Sequence, residues 1–135
     1  MELKPYIFFN GRCAEALEFY KGIFGGSYEA MRNADAPDQV KQMMPDADPN
    51  RIMHASFSAD GFGFYASDGR QSNPIDPDAG NVSICLDANA ADAERVCNAL
   101  AEGGKVVMPL EDAFWGGKFA NVIDKFGTDW FITGR

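Results

Sequence analysis

Two helical patterns of similar length, each closed by a glycine doublet, divide these 135 residues into halves with the same plan. In "RCAEALEFYKGIF", Cys13, Ala16, Leu17, Tyr20, Ile23 and Phe24 fall at spacings of three, four and seven and so share one helical face. Gly25 and Gly26 end that helix. In "AADAERVCNALAEGG", Ala93, Val96, Cys97 and Leu100 form the matching face, and Gly103 and Gly104 end it. Asn10 is placed to cap the first helix, and Asn89 or Asp87 the second. One strand-like run precedes each helix, "LKPYIFF" and "NVSICLD". Three follow each: "SYEAMR", "IMHASFSA" and "FGFYAS" in the first half, "KVVMP", "FANVID" and "DWFITG" in the second. The turn "ADG" joins the last two strands of the first half. Both halves finish on a glycine turn and an aromatic strand, "DGFGFYAS" and "KFGTDWFIT". The expected fold class is α+β, with two βαβββ modules, about 1–68 and about 81–135, joined by a linker of about 69–80. A module this small buries its own sheet poorly, so the two are expected to pack together within one domain as a curled, mostly antiparallel sheet around a cup.

Strand alternation sorts the side chains. Met53, Ala55, Phe57 and Ala59 make one face of their strand, and His54, Ser56 and Ser58 the other. Phe62, Phe64 and Ala66 oppose Gly63, Tyr65 and Ser67. Val82, Ile84 and Leu86 are expected under a helix, opposite Asn81, Ser83 and Cys85. Trp130 and Ile132 oppose Asp129, Phe131 and Thr133. Each polar face is rich in small residues. A polar strand face ordinarily meets water. On a curled sheet it lines a cup in which serines leave room and Tyr65, Phe131 and Trp115 supply flat walls, the composition of a small-molecule pocket. A long irregular stretch, roughly 33–51, carries Pro37, Pro45, Pro49 and a short helical run, "QVKQMM". Loops of this length in small domains serve as lids or as arms to a partner subunit. Met43 and Met44 within it are suited to covering a pocket or to burial at a partner interface.

Charge narrows the partners. The net charge is −8, from 20 acidic and 12 basic residues, which disfavours nucleic acid and anionic lipid. No apolar run reaches membrane-spanning length and no leader pattern is visible, so a cytoplasmic protein is expected. Cys13, Cys85 and Cys97 form an odd set without Cys-x-x-Cys spacing. They read as reduced thiols, each a small core-like residue on an apolar pattern or strand.

The pieces "AEALEFYKGIFG" and "DKFGTDWFI", together with the doubled plan, resemble the vicinal oxygen chelate superfamily of glyoxalase I, extradiol dioxygenases and bleomycin-resistance proteins. "PYIFFNGRCAEALEFYKGIFGG", "IMHASFSADG" and "EDAFWGGKFANVIDKFGTDWFI" resemble its PhnB-like branch more closely, over nearly the whole chain. The resemblance implies four metal-ligand positions, which fall on Pro5, Tyr65, Asn81 and Phe131. Proline and phenylalanine bring no donor, asparagine is a poor ligand for zinc or iron, and tyrosine alone cannot hold a divalent ion. No metal and no cofactor is therefore expected. Members of the branch are described as methyltransferases acting on a demethylubiquinone, but no early glycine-rich turn suited to a Rossmann-type methyl-donor site is visible.

The sole histidine, His54, is the first candidate for chemistry, as acid or base or as hydrogen-bond partner of a carbonyl or anion. A histidine bonded to backbone is the equal alternative. Trp115, in "AFWGGK", either stacks on a ligand, plugs the pocket or packs at a subunit contact. "WGGK" lacks phosphate-loop spacing. Asp124 is expected to form a turn. The expected function is metal-independent binding of a small organic molecule by a homodimer, with His54, Ser56, Tyr65, Asn81, Ser83, Trp115 and Phe131 at the cup. The alternative is an enzyme acting on a carbonyl or oxygen-rich substrate through His54, as acid, base or lone metal ligand. A third reading is a cup filled by its own side chains in a protein that binds another protein.

Overall fold

The computed structural model describes residues 1–69 and 74–135; part of the expected linker, residues 70–73, lies outside the described residues. The elements are β1 (Tyr6–Phe8), α1 (Cys13–Phe24), β2 (Ser27–Arg32), α2 (Asp38–Met43), β3 (Ile52–Ala59), β4 (Phe62–Ser67), β5 (Ile84–Ala88), α3 (Ala90–Ala101), β6 (Lys105–Asp112), β7 (Lys118–Ile123) and β8 (Asp129–Gly134). Short 3₁₀ turns span Asn33–Asp35 and Pro77–Ala79. The chain forms two compact units, Met1–Ile75 and Asp76–Arg135. Their sheets have the same topology, β1-β4-β3-β2 and β5-β8-β7-β6. In each, the strand before the helix pairs parallel with the last strand and every other pairing is antiparallel. The α+β class and the doubled βαβββ plan are as expected from sequence.

The helical faces pack as their periodicity requires. Cys13, Ala16, Leu17, Tyr20 and Ile23 are buried on α1, and Ala93, Val96, Cys97 and Leu100 on α3. Phe57, Phe64 and Ala66 complete the first core, and Ala120, Val122, Trp130 and Ile132 the second. Each large aliphatic side chain buried this way contributes about 1.5–3 kcal/mol. Asn89 caps α3, its side chain accepting the Asp92 amide at 2.8 Å. Asp124 forms the expected turn: Oδ1 accepts the amides of Phe126 and Thr128, and Oδ2 accepts the Trp130 indole at 2.9 Å.

Several expectations fail for identifiable reasons. Asn10 does not cap α1. It adopts φ 50° and its side-chain amide brackets the backbone of Ile75, donating to the carbonyl and accepting the N–H. The Cys13 amide, in the first turn of α1, donates instead to the buried Asp68 carboxylate at 2.8 Å. Strand β5 starts at Ile84, paired with Trp130, so Asn81, Val82 and Ser83 precede it and Val82 is exposed. Cys85 is exposed, unlike the buried Cys13 and Cys97. An irregularity in the β2–β3 register, where Met31 pairs with His54 but Arg32 pairs with Ile52, turns Ile52 into the core in place of Met53.

The cysteines give a direct check. Burial, with the Asp68 carboxylate adding to it, pushes the Cys13 thiol up to about 12, and burial raises Cys97 as well. Only a thiolate attacks a disulfide reagent. A single fast thiol is therefore expected on titration of the native protein with an aromatic disulfide, and three in denaturant. Two fast thiols in native buffer would contradict this packing.

Candidate functional site

Alternation places Tyr6 and Phe8 on the same face of β1. The parallel register sets Tyr6 beside Tyr65 and Phe8 beside Ser67. On the next strand Ser56 is opposite Tyr65, and one step further Glu29 is opposite Ser56. Three predicted residues, His54, Ser56 and Tyr65, thus share one face of the first sheet. Tyr6 joins them: its hydroxyl lies 3.1 Å from His54 Nδ1. With Nδ1 accepting, the imidazole proton sits on Nε2. The ring centroids of Tyr6 and His54 are 5.7 Å apart, and those of His54 and Tyr65 5.3 Å. Lys4 Nζ stands 5.1 Å from the centre of the Tyr65 ring, while also pairing with Glu2. His54 is exposed.

The 33–51 stretch rises beside this face as a closed arm. Its base is laced by main-chain bonds, from Asn33 N to Arg51 O at 2.9 Å and from Ala34 N to Pro49 O at 3.0 Å. Asn33 Nδ2 donates to the Asp48 carbonyl. Arg32 Nη1 donates to the Asn50 carbonyl. Helix α2 ends at Met43, and the following turn brings Met44, Pro45, Asp46 and Ala47 toward the sheet. Between arm and sheet lies a cavity of about 990 Å³. Tyr6, Phe8, Met53 and Ser67 line it from the sheet, Met43 and Met44 from the arm, and Arg51 from the junction of the two.

The remaining predicted residues lie in the second unit. Phe131 sits on β8, with its ring 5.4 Å from that of Phe119 on β7. Phe119 in turn meets Trp115 edge-on at 5.3 Å, and Phe114 meets Trp115 at 4.7 Å. Phe119, which sequence reasoning passed over, therefore links Trp115 to Phe131. Ser83 Oγ donates to Asp129 Oδ2, and buried Asn121 donates to Asp129 Oδ1 and the Trp130 carbonyl. Asn81 stands exposed before β5.

The residues at the positions where the resemblance implies metal ligands, Pro5, Tyr65, Asn81 and Phe131, do not fit a metal. The Pro5 carbonyl is already bonded to the Tyr65 amide at 2.9 Å, Phe131 offers only a ring, and among the described residues no three His, Cys, Asp or Glu side chains are grouped to hold an ion. Among the described residues no helix is long and apolar enough to cross a membrane.

Sequence reasoning missed Tyr6, Phe8, Arg51 and Met53. Applying period-two alternation to "PYIFF" finds the first two. Arg51 carries a weaker signal, as the one cation at the end of a long acidic loop.

Comparison with known proteins agrees with this architecture. The family described as 3-demethylubiquinone-9 3-methyltransferase matches residues 1–133. Protein PA1353 of Pseudomonas aeruginosa is 38% identical, with a TM-score of 0.87 over 100% of this chain and 98% of that one. A PhnB protein of Bacillus cereus has the same fold at 22% identity, with a TM-score of 0.75 and full coverage of both chains. A member of the glyoxalase/bleomycin resistance protein/dioxygenase superfamily from Sphaerobacter thermophilus matches at 16% identity and a TM-score of 0.53, over 100% of this chain and 98% of that one. The chain belongs to the family described as 3-demethylubiquinone-9 3-methyltransferase, and it shares its fold with the PhnB protein and with the glyoxalase/bleomycin resistance protein/dioxygenase superfamily member above.

Proposed function

We propose that this chain binds a small organic molecule, without a metal, in the cavity between its first sheet and the 33–51 arm. The observation that carries the reading is the cavity itself, about 990 Å³. It falls in the size range of small-molecule sites, and its lining sets the aromatic rings of Tyr6 and Phe8 and three methionines beside polar Asn33, Asp46, Asp48, Arg51 and Ser67. Methionines adapt their shape to a ligand, and Met43 and Met44 sit on the arm rather than on the sheet. The family's description names a methyl transfer. A methyl donor held as in Rossmann-type sites needs a glycine-rich strand-to-helix turn and a free helix N-terminus. Here the first turn of α1 is already engaged by Asp68 and that of α3 by Asn89. The residues do not fit that cradle, and no methyl-transfer step is derived from them.

The Tyr6–His54 contact favours one second reading, an enzyme acting on a carbonyl or oxygen-rich molecule. An imidazole whose Nδ1 is held by a phenol leaves Nε2 for a substrate and is able to move a proton there. In that case Tyr6→Phe and His54→Gln lower turnover while Tm stays within about 2 °C of the parent, because both groups are exposed. The binding reading instead has the ligand recovered unchanged at one equivalent.

A homodimer in the cytoplasm completes the proposal. Its support is the second unit's edge strand, where Val106, Val107 and Met108 are about half exposed, and light scattering decides it. The binding reading is tested by a thermal-shift screen of planar fragments with chelator present. A ligand at ten times its Kd stabilises by about 1.4 kcal/mol, which raises Tm by roughly 3–8 °C for a chain of this length. Met53→Glu, which charges the cavity wall, is expected to abolish the shift. Hits that survive Met53→Glu, or that vanish with chelator, would overturn the reading.

A further inference from the structure

We propose that Arg51 is the anion anchor of the cavity, so that the molecule bound there carries a carboxylate at one end and a flat apolar body at the other. This rests on the binding reading above and adds the class of ligand. Among the described residues Arg51 is the only basic one in the cavity's lining. Among the described residues its guanidinium makes one hydrogen bond, from Nη2 to the Asp68 carbonyl at 2.7 Å. No carboxylate among the described residues pairs with it. Its Nε is buried and has no acceptor among them.

An arginine cannot shed its proton to escape such a position. A buried donor without an acceptor is costly, and more so when charged, and no described residue supplies one, so an acceptor on a ligand is favoured there. The guanidinium fork matches a carboxylate in plane and spacing. The Asp68 carbonyl fixes one arm of that fork, so the group is held before a ligand arrives. Two acidic residues also line the cavity, Asp46 and Asp48. Asp48 is turned to its own loop, where Oδ1 accepts the Asn50 amide at 2.9 Å, and Asp46 is exposed on the arm. Neither pairs with Arg51. Tyr6, Phe8, Met43, Met44 and Met53 supply the apolar part of the lining, which suits a ring.

The test compares 2-naphthoate with 2-naphthamide, which share shape and differ in charge. Both are titrated into the whole chain, with amide chemical shifts reporting where they bind and whether variants remain folded. The acid is expected to bind at least about tenfold more tightly than the amide, as charge-assisted pairing requires. Arg51→Gln is expected to remove that preference, so that acid and amide bind with equal affinity. Arg51→Lys, which keeps the cation but not the fork, is expected to fall between, and it carries the test if Arg51→Gln does not fold. Equal binding of acid and amide by the parent, at the cavity residues, would overturn the anchor and leave the binding reading standing. An acid preference retained in Arg51→Gln would do the same. If neither compound perturbs any cavity residue at millimolar concentration, both the anchor and the binding reading fall.

Discussion

Asp68→Ala is expected to lower the free energy of unfolding by about 3–5 kcal/mol, a large share of the total for a domain of this size. Asp68 is 3% exposed and each carboxylate oxygen has its own donor. Oδ1 accepts the Cys13 amide at 2.8 Å and Oδ2 the Ile52 amide at 2.7 Å. The first bond supplies the cap that α1 lacks from its own flank, with a negative charge at the positive end of the helix. The second holds the entry to β3. Alanine leaves both amides buried and unpaired, each costing about 1–3 kcal/mol, and it opens a polar hole. An asparagine side chain in the same place keeps one acceptor but turns an NH₂ toward the other amide, so Asp68→Asn is expected to cost about 2–3 kcal/mol. Urea unfolding with an unchanged slope would give both values. A loss below about 1 kcal/mol for Asp68→Ala would mean that water replaces the carboxylate and that the link between α1 and β3 lies elsewhere.

That cap also marks the limit of what the chain discloses when read along its length. The helical faces were legible because 3.6-residue periodicity is local, and Asn89 was legible because its acceptor and donor lie three residues apart. The cap of α1 comes from a residue 55 positions away, and no local pattern encodes it. Strand faces were legible wherever the strand had the expected partner. His54, Ser56 and Tyr65 follow alternation, and Val82 does not, because the pairing of β5 with β8 begins only at Ile84 and leaves Val82 outside the strand. Met53 was assigned to the core by strict alternation and left it through the register irregularity beside Ile52. The first unit's cavity was half legible. The arm and its methionines stood out by length and composition. Tyr6 and Phe8 did not: alternation along "PYIFF" puts them on one face, but that this face meets the arm depends on the parallel pairing of β1 with β4. Arg51 did not, since its importance depends on what fails to pair with it.

The glycine doublets were read as helix stops, and the second glycine of each pair does something the first does not. Gly26→Ala is expected to cost about 2–5 kcal/mol, by adding two independent penalties. Its φ is 78°, where a side chain costs about 1–2 kcal/mol. A methyl there would also stand 2.1 Å from the Ser58 carbonyl oxygen and 2.9 Å from the Ala59 Cα. These are backbone atoms at the end of β3, so relief means separating β2 from β3, and overpacking of this kind costs about 1–3 kcal/mol. Neighbouring Gly25 has φ 70° but open space around the position of a methyl, so Gly25→Ala is expected to show only the first penalty. Gly104 isolates the second. Its φ lies outside the left-handed region, yet a methyl would meet the Ile123 carbonyl oxygen at 2.3 Å, at the corresponding junction of β6 with β7. Gly104→Ala is therefore expected to cost about 1–3 kcal/mol. Calorimetric or urea unfolding of the three variants separates conformational strain from close approach. If Gly26→Ala proves no worse than Gly25→Ala, the second glycine is only part of the turn. If it exceeds Gly25→Ala by about the loss seen in Gly104→Ala, both modules use their second glycine to bring the strand after the helix against the next strand, and the repeat extends from topology to packing.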